Sequence, residues 1–298
     1  MRLAVSGATG LIGSALTASL RADGAEVIRL VRGAAVGPGE IGWDPLADGG
    51  LDPAALRGID AVVHLSGAPI AGGRWTPARK QELRASRIRS TATLVSAIAA
   101  ADPPPGVLLC GSAIGYYGDT GERAVDESEP AGTGFLAELV RDWEEAALPA
   151  TAAGVRVVNL RSGIVLAAAG GMLGRLLPPF RLGLGAKVGT GRQYFSWIAI
   201  DDEVGAIRFL LGTATASGPF NLTAPNPVTN AEFTRVLAGA LRRPAALTLP
   251  SGVLRAALGE LAGELLASAR VQPGRLTEAG YPFRHPDLTG ALAALLRR

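Results

Sequence analysis

Short apolar runs alternate with longer mixed stretches from the first residue onward. Arg2 to Ser6 reads as a buried strand and Gly10 to Asp23 as the helix after it. Glu26 to Arg32 is a second strand, and a short one near Ile41 to Trp43 precedes the turn Asp44-Pro45. Ile59 to Ser66 is a strongly apolar strand. Thr76-Pro77 opens a long helix, because threonine can cap the first free N–H groups and proline at the first turn loses no hydrogen bond. That helix runs to about Ala101, where the prolines 103–105 stop it. Val107 to Gly111 is the next strand, Gly134 to about Leu148 the next helix, and Val155 to Val165 another strand. Strand–helix alternation of this kind predicts an α/β fold, a Rossmann doubly wound parallel sheet with helices on both faces.

The alternation loosens after Leu166. Gly170-Gly171 introduces a helical segment ending at Pro178-Pro179, then comes a glycine-rich run from Gly183 to Gly191. Tyr194 to Ile200 reads as a strand returning to the sheet, Asp201-Asp202 begins a helix to Leu211, and Phe220 to Thr223 is a last short strand. From Asn230 onward the pattern is helical and loop-rich. The predicted organisation is a Rossmann domain of residues 1–166 plus about 199–224. A smaller, mainly helical substrate lobe takes up about 167–198 plus 225–298.

Composition narrows the chemistry. Of 298 residues, 48% are hydrophobic, enough for a substantial core, and the single cysteine excludes a disulfide framework. Two histidines leave little room for a His-based zinc site. A reducing, cytoplasmic setting follows as an expectation. Leu3 to Leu20 carries no charge and mimics a secretory signal. Its three spaced glycines with Ser and Thr suit a strand, turn and helix instead, and it is short for a membrane span. The net charge of +3 rests on arginine. Arg79, Lys80, Arg84, Arg87 and Arg89 share one helical stretch without interleaved aromatics, which predicts a solvated face rather than a nucleic-acid surface.

Between the first strand and first helix stands Ser6-Gly7-Ala8-Thr9-Gly10-Leu11-Ile12-Gly13, a Gly-x-x-Gly-x-x-Gly turn. Gly7 permits the tight turn, Gly10 the approach of a pyrophosphate, and Gly13 close helix–sheet packing. The helix start offers free N–H groups and a positive dipole end to phosphates. A dinucleotide is the expected ligand. NAD binders carry an acid at the tip of the second strand to grip the ribose hydroxyls. This strand ends Leu30-Val31-Arg32-Gly33, and an arginine there can pair with a 2′-phosphate, so NADP(H) is the expected cofactor.

These residues, together with Trp43-Asp44, Asp60 to Gly67, Arg74-Trp75, Ser86-Arg87, Ser112 to Gly118, Asp142-Trp143-Glu144, Arg161 to Leu166, Ser196-Trp197-Ile198 and Asn221 through Phe233, carry a resemblance. The chain resembles the atypical extended short-chain dehydrogenases of the NAD-dependent epimerase/dehydratase-like family, some members of which are labelled cell-division inhibitors. Ala269 to Phe283 is similar to that family's own C-terminal domain of unknown function. The resemblance implies that Leu65 and Ser66 flank the adenosine part of the cofactor. It also implies that Glu82 and Arg87 face the cofactor and that Val165 lies by the nicotinamide end.

The wider superfamily exchanges protons through a serine and a Tyr-x-x-x-Lys pair, the lysine lowering the tyrosine pKa. Four residues after tyrosines 116, 117, 194 and 281 come Thr120, Gly121, Ile198 and His285. No such pair exists, and the helix expected to carry it reads Phe135 through Val140 instead. Ser112 remains, placed to hydrogen-bond a substrate oxygen, and Tyr116 is a candidate proton donor. Tyr117-Gly118 can equally be a structural turn with Tyr116 packed beside it. His64 in its apolar strand reads as buried or cofactor-edge, Trp197 and Phe195 as lobe packing, and Asp126, Glu127 and Glu129 as a solvent-exposed acidic loop.

Two readings stand. One is an NADP(H)-dependent oxidoreductase or epimerase acting on an unknown small-molecule carbonyl or hydroxyl substrate, sugar nucleotides being an analogy from the superfamily. The other is a non-catalytic NADP(H)-binding sensor. Neither nucleic acid nor membrane is an expected partner, and the chain is expected to be a monomer or a homodimer.

Overall fold

The computed structural model describes residues 1–297; residue 298, the last of the predicted lobe, lies outside them. Seven strands form one parallel sheet: β1 (Arg2–Ser6), β2 (Glu26–Arg32), β3 (Glu40–Trp43), β4 (Ala61–His64), β5 (Val107–Ala113), β6 (Arg156–Ser162) and β7 (Gly218–Leu222). Their order is β7-β6-β5-β4-β1-β2-β3. The chain runs outward from β1 through β2 to β3, then returns to lay β4 on the other side of β1. The crevice outside the carboxyl ends of β1 and β4 is therefore the switch point where such sheets take ligands.

Alternation within the strands splits the core in two. Leu3, Val5, Val63, Leu109 and Leu160 pack with Leu16 and Ile207 of the helices Leu11–Ala22 and Ile200–Gly212. Ala4, Ile28, Val62 and Leu108 face Leu94, Ile98 and Trp143 of the helices Ser90–Ala100 and Phe135–Ala147. A third core lies in the C-terminal lobe, where Trp197, Phe233, Phe180 and Leu292 meet. Among the described residues no helix is long and apolar enough to cross a membrane.

Four expectations are corrected. The strand expected over Val155 to Val165 breaks at Gly163, whose N–H turns to the Leu222 carbonyl. The chain resumes as Ile164–Ala167. Trp197–Ala199 pairs with that short strand, so the segment expected to rejoin the main sheet does not. The helix expected to end at Pro178-Pro179 runs Gly171–Arg181, and the carbonyls of both prolines accept the bonds that close its end. The helix from Pro77 is interrupted by a wide π turn over Ala85–Arg89 before continuing as Ser90–Ala100. Such turns bulge side chains outward and favour functional sites; Arg87 lies inside this one.

Candidate active site

The glycine turn is built around contacts that no side chain would survive. Gly7 has φ +67° and a Cβ there would lie 2.7 Å from the Leu65 carbonyl; one on Gly13 would lie 2.2 Å from the Gly7 oxygen. The turn is closed by Gly10 N–H donating to that same oxygen at 3.0 Å. The helix Leu11–Ala22 then starts with no capping side chain and no acid in its first turn. Among the described residues no side chain partners its first amides, and Thr9 and Gly10 are exposed while Leu11 and Ile12 are half-buried. An uncapped helix start at the switch point fits a pyrophosphate.

Arg32 ends β2 beside this turn, exposed, and no hydrogen bond or ion pair engages it among the described residues. Leu65 follows β4, and its N–H donates to Ser6 Oγ at 3.2 Å. Beyond Ser66, Gly67 makes room for Arg87: a Cβ there would come within 3.1 Å of the guanidinium carbon. Arg87 is buried and donates to the carbonyls of Ala68 at 3.0 Å and Leu83 at 3.4 Å, with Trp143 under its carbon at 5.2 Å. Burial and the charge of Arg79 push its pKa down to about 10. No carboxylate lies within ion-pair distance of it among the described residues. The other cations of that helix are spent internally: Arg79 on Glu82 at 2.6 Å, Lys80 on Glu260 at 2.6 Å, Arg84 on Asp142 and Arg89 on the Leu46 carbonyl at 2.5 Å. Glu82 is thus exposed and already paired. Val165 stands in the short strand beside Ile198, half-buried.

Ser112 lies near the carboxyl end of β5, but its hydroxyl is buried and donates to Glu144 Oε1 at 2.5 Å. Arg161 grips the same carboxylate with two forked bonds of 2.8 Å and reaches Tyr117 Oη at 2.9 Å. Tyr117 in turn donates to Asn221 Oδ1 at 2.7 Å. This buried chain joins β5, β6 and β7 to the helix Phe135–Ala147. It changes the expected role of Ser112: a hydroxyl whose proton is committed to a carboxylate can accept from a ligand but not polarise a carbonyl by donating. Tyr117 is fully engaged as well, and burial pushes its pKa up to about 12. Tyr116 is the half-buried one, its ring under Arg161 at 3.5 Å, and no hydrogen bond engages its hydroxyl among the described residues.

Leu136, Val140 and Glu144 recur at four-residue spacing on one face of their helix. Glu144 meets Ser112, and Leu136 lies against Gly115, where a Cβ would be 3.3 Å away. The face that looks at the end of β5 thus carries leucine and valine where a tyrosine and lysine would be needed. His64 is buried, bonded through Nδ1 to Ser6 Oγ at 2.6 Å, and burial lowers its pKa to about 4. Of the acidic loop, Glu127 is not free: it accepts from the N–H groups of Asn221 and Arg275 at 2.8 and 3.2 Å. Sequence reasoning assigned no role to Glu144, Arg161 or Glu203. Glu203 is completely buried, accepts from Ser162 Oγ at 2.5 Å through one oxygen and, among the described residues, leaves the other unpartnered. Burial pushes its pKa up to about 8.

Comparison with known proteins agrees with this geometry. Residues 3–223 match the NAD dependent epimerase/dehydratase family and residues 249–295 a domain of unknown function, DUF1731. Epimerase family protein Mb2239 of Mycobacterium bovis is 51% identical over 291 residues, covering 97% of this chain and 96% of its own. Human epimerase family protein SDR39U1 is 40% identical over 301 residues, covering 99% and 100%. A crystal structure of the human protein (isoform 2) with NADPH superposes with a TM-score of 0.91 at 37% identity, over 100% of both chains. The chain belongs to the NAD dependent epimerase/dehydratase family.

Proposed function

We propose that this protein binds NADP(H) and exchanges hydride with a small hydroxyl or carbonyl compound, as an oxidoreductase or epimerase. The observation that carries the cofactor is the uncapped helix start at the switch point with an unengaged Arg32 on the neighbouring strand tip. The human relative's structure with NADPH supports it. Gly7 to Gly13 would take the pyrophosphate, Arg32 the 2′-phosphate, and Leu65 and Ser66 the adenosine side. Arg87, a buried cation without a carboxylate, would face the cofactor with Glu82 near it, and Val165 would border the nicotinamide. Bound there, the nicotinamide supplies hydride chemistry.

The protein's part is to orient the substrate and move a proton. Tyr116 is the group for this, because among the described residues its hydroxyl is unspent, and Arg161 packed on its ring at 3.5 Å holds it in place. Ser112 accepts from a ligand N–H or O–H and fixes orientation. The cytoplasmic setting belongs to the same reading, supported by the buried, unpaired thiol of Cys110. A second reading, a holder of NADP(H) without turnover, is favoured by the apolar Leu136 and Val140.

NADPH oxidation monitored against a panel of carbonyl compounds separates the two. Turnover that falls about a hundredfold in Tyr116→Phe, with NADPH affinity unchanged, supports the enzyme. NADPH binding without turnover on any panel member supports the holder.

A further inference from the structure

The two short helices Ser251–Leu258 and Leu261–Leu266 lie within the C-terminal domain of unknown function. Among the described residues, the backbone hydrogen bonds of 250–267 close within the segment itself. Its two ends are pinned elsewhere. Leu247–Leu249 pairs with Ala186–Val188 of the lobe, and Ser268 exchanges bonds with Asp119 at 3.2 Å and Thr120 at 2.7 Å on the loop leaving β5. Between those anchors the segment crosses to the Rossmann half and is held there only by side chains. Arg74 donates to the carbonyls of Ala256 and Ala257, and Lys80 pairs with Glu260 at 2.6 Å. Leu258 and Leu261 enter the cluster of Trp75, Leu83, Leu139, Leu136, Ala68 and Ile70.

That landing place borders the cofactor crevice. Ala68 and Ile70 continue the loop from Leu65 and Ser66, and Ala68 accepts from Arg87. Leu136 lies against Gly115 on the exit from β5. A segment with its own closed hydrogen bonds and fixed ends, held by exposed polar contacts around Leu258 and one buried leucine, Leu261, can lift as a unit, since exposed ion pairs are individually weak and the apolar contact is small. We propose that residues 251–266 form a strap that gates the crevice, closed in this structure, with Arg74, Leu258 and Glu260 as its clasp. The proposal rests on the NADP(H) reading.

A gate has a kinetic signature that a merely structural element lacks, because unlatching speeds entry and exit alike. Stopped-flow NADPH fluorescence on the full chain reads both rates. In Leu258→Ser, and separately in Arg74→Ala/Glu260→Ala, association and dissociation should each rise by about fivefold, with the dissociation constant nearly unchanged. Joining Lys80→Cys to Glu260→Cys with a short bismaleimide should slow both. Rates equal to wild type in both loosened variants, or a rise in dissociation alone, would overturn the gate while leaving the cofactor reading intact. A wild-type chain that takes up no NADPH would overturn both.

Discussion

Glu203 is the residue whose charge the fold tolerates least. Its carboxyl is wholly enclosed, one oxygen has no partner among the described residues, and burial pushes its pKa up to about 8 against an ordinary value of about 4.5. A carboxyl raised in the folded state stabilises fully below its unfolded pKa and loses that contribution as pH climbs through the folded one. The stability of the protein should therefore decline between about pH 4.5 and pH 8, by on the order of a few kcal/mol from this group. Glu203→Gln keeps the bond from Ser162 and has nothing to ionise. In urea melts it should match the parent near pH 5 and exceed it at pH 9; an identical decline in both proteins would mean that Glu203 is not the titrating group. Nothing in the sequence marked this residue, since it follows Asp201-Asp202 inside an ordinary helix and its enclosure depends on the sheet it packs against. By contrast, the turn at Gly7 and Gly13 was legible, because backbone crowding that admits only glycine leaves a local signature.

Among the elements, the helix Phe135–Ala147 is tied to the sheet by an ion pair rather than by apolar contact alone. Glu144 and Arg161 are both buried, so removing one leaves the other charged and unsatisfied, at a cost of about 3–5 kcal/mol. Glu144→Ala should show a loss of that size in denaturant unfolding. The double variant Glu144→Leu/Arg161→Met should be the milder of the two; a double variant worse than the single would contradict the charge-burial explanation. The strands and main helices could be read from the pattern of apolar runs, because the strands are buried on both faces and each main helix covers one of the two cores. Trp197–Ala199 was readable as a strand but its pairing was not, since its partner strand exists only after Gly163 breaks β6, a tertiary event. The π turn at Ala85–Arg89 was equally hidden, because an extra residue in a helix barely disturbs the apolar spacing.

At the scale of the molecule, a parallel sheet offers its switch point, and the C-terminal part of the chain builds a core of its own. The chain sets a glycine turn and an uncapped helix start at that crevice and carries no Tyr-x-x-x-Lys pair. The site's general position was readable from the order of strands and glycines. Its polarity was not, because the commitment of Ser112 to Glu144 depends on a contact 32 residues apart. Discrimination between the two nicotinamide dinucleotides tests the central claim most directly. Titration calorimetry should show the wild-type chain binding NADP+ more tightly than NAD+, with Arg32→Ala losing about 1–3 kcal/mol for NADP+ and little for NAD+. Equal losses for both nucleotides, or no binding heat from either on folded protein, would contradict it.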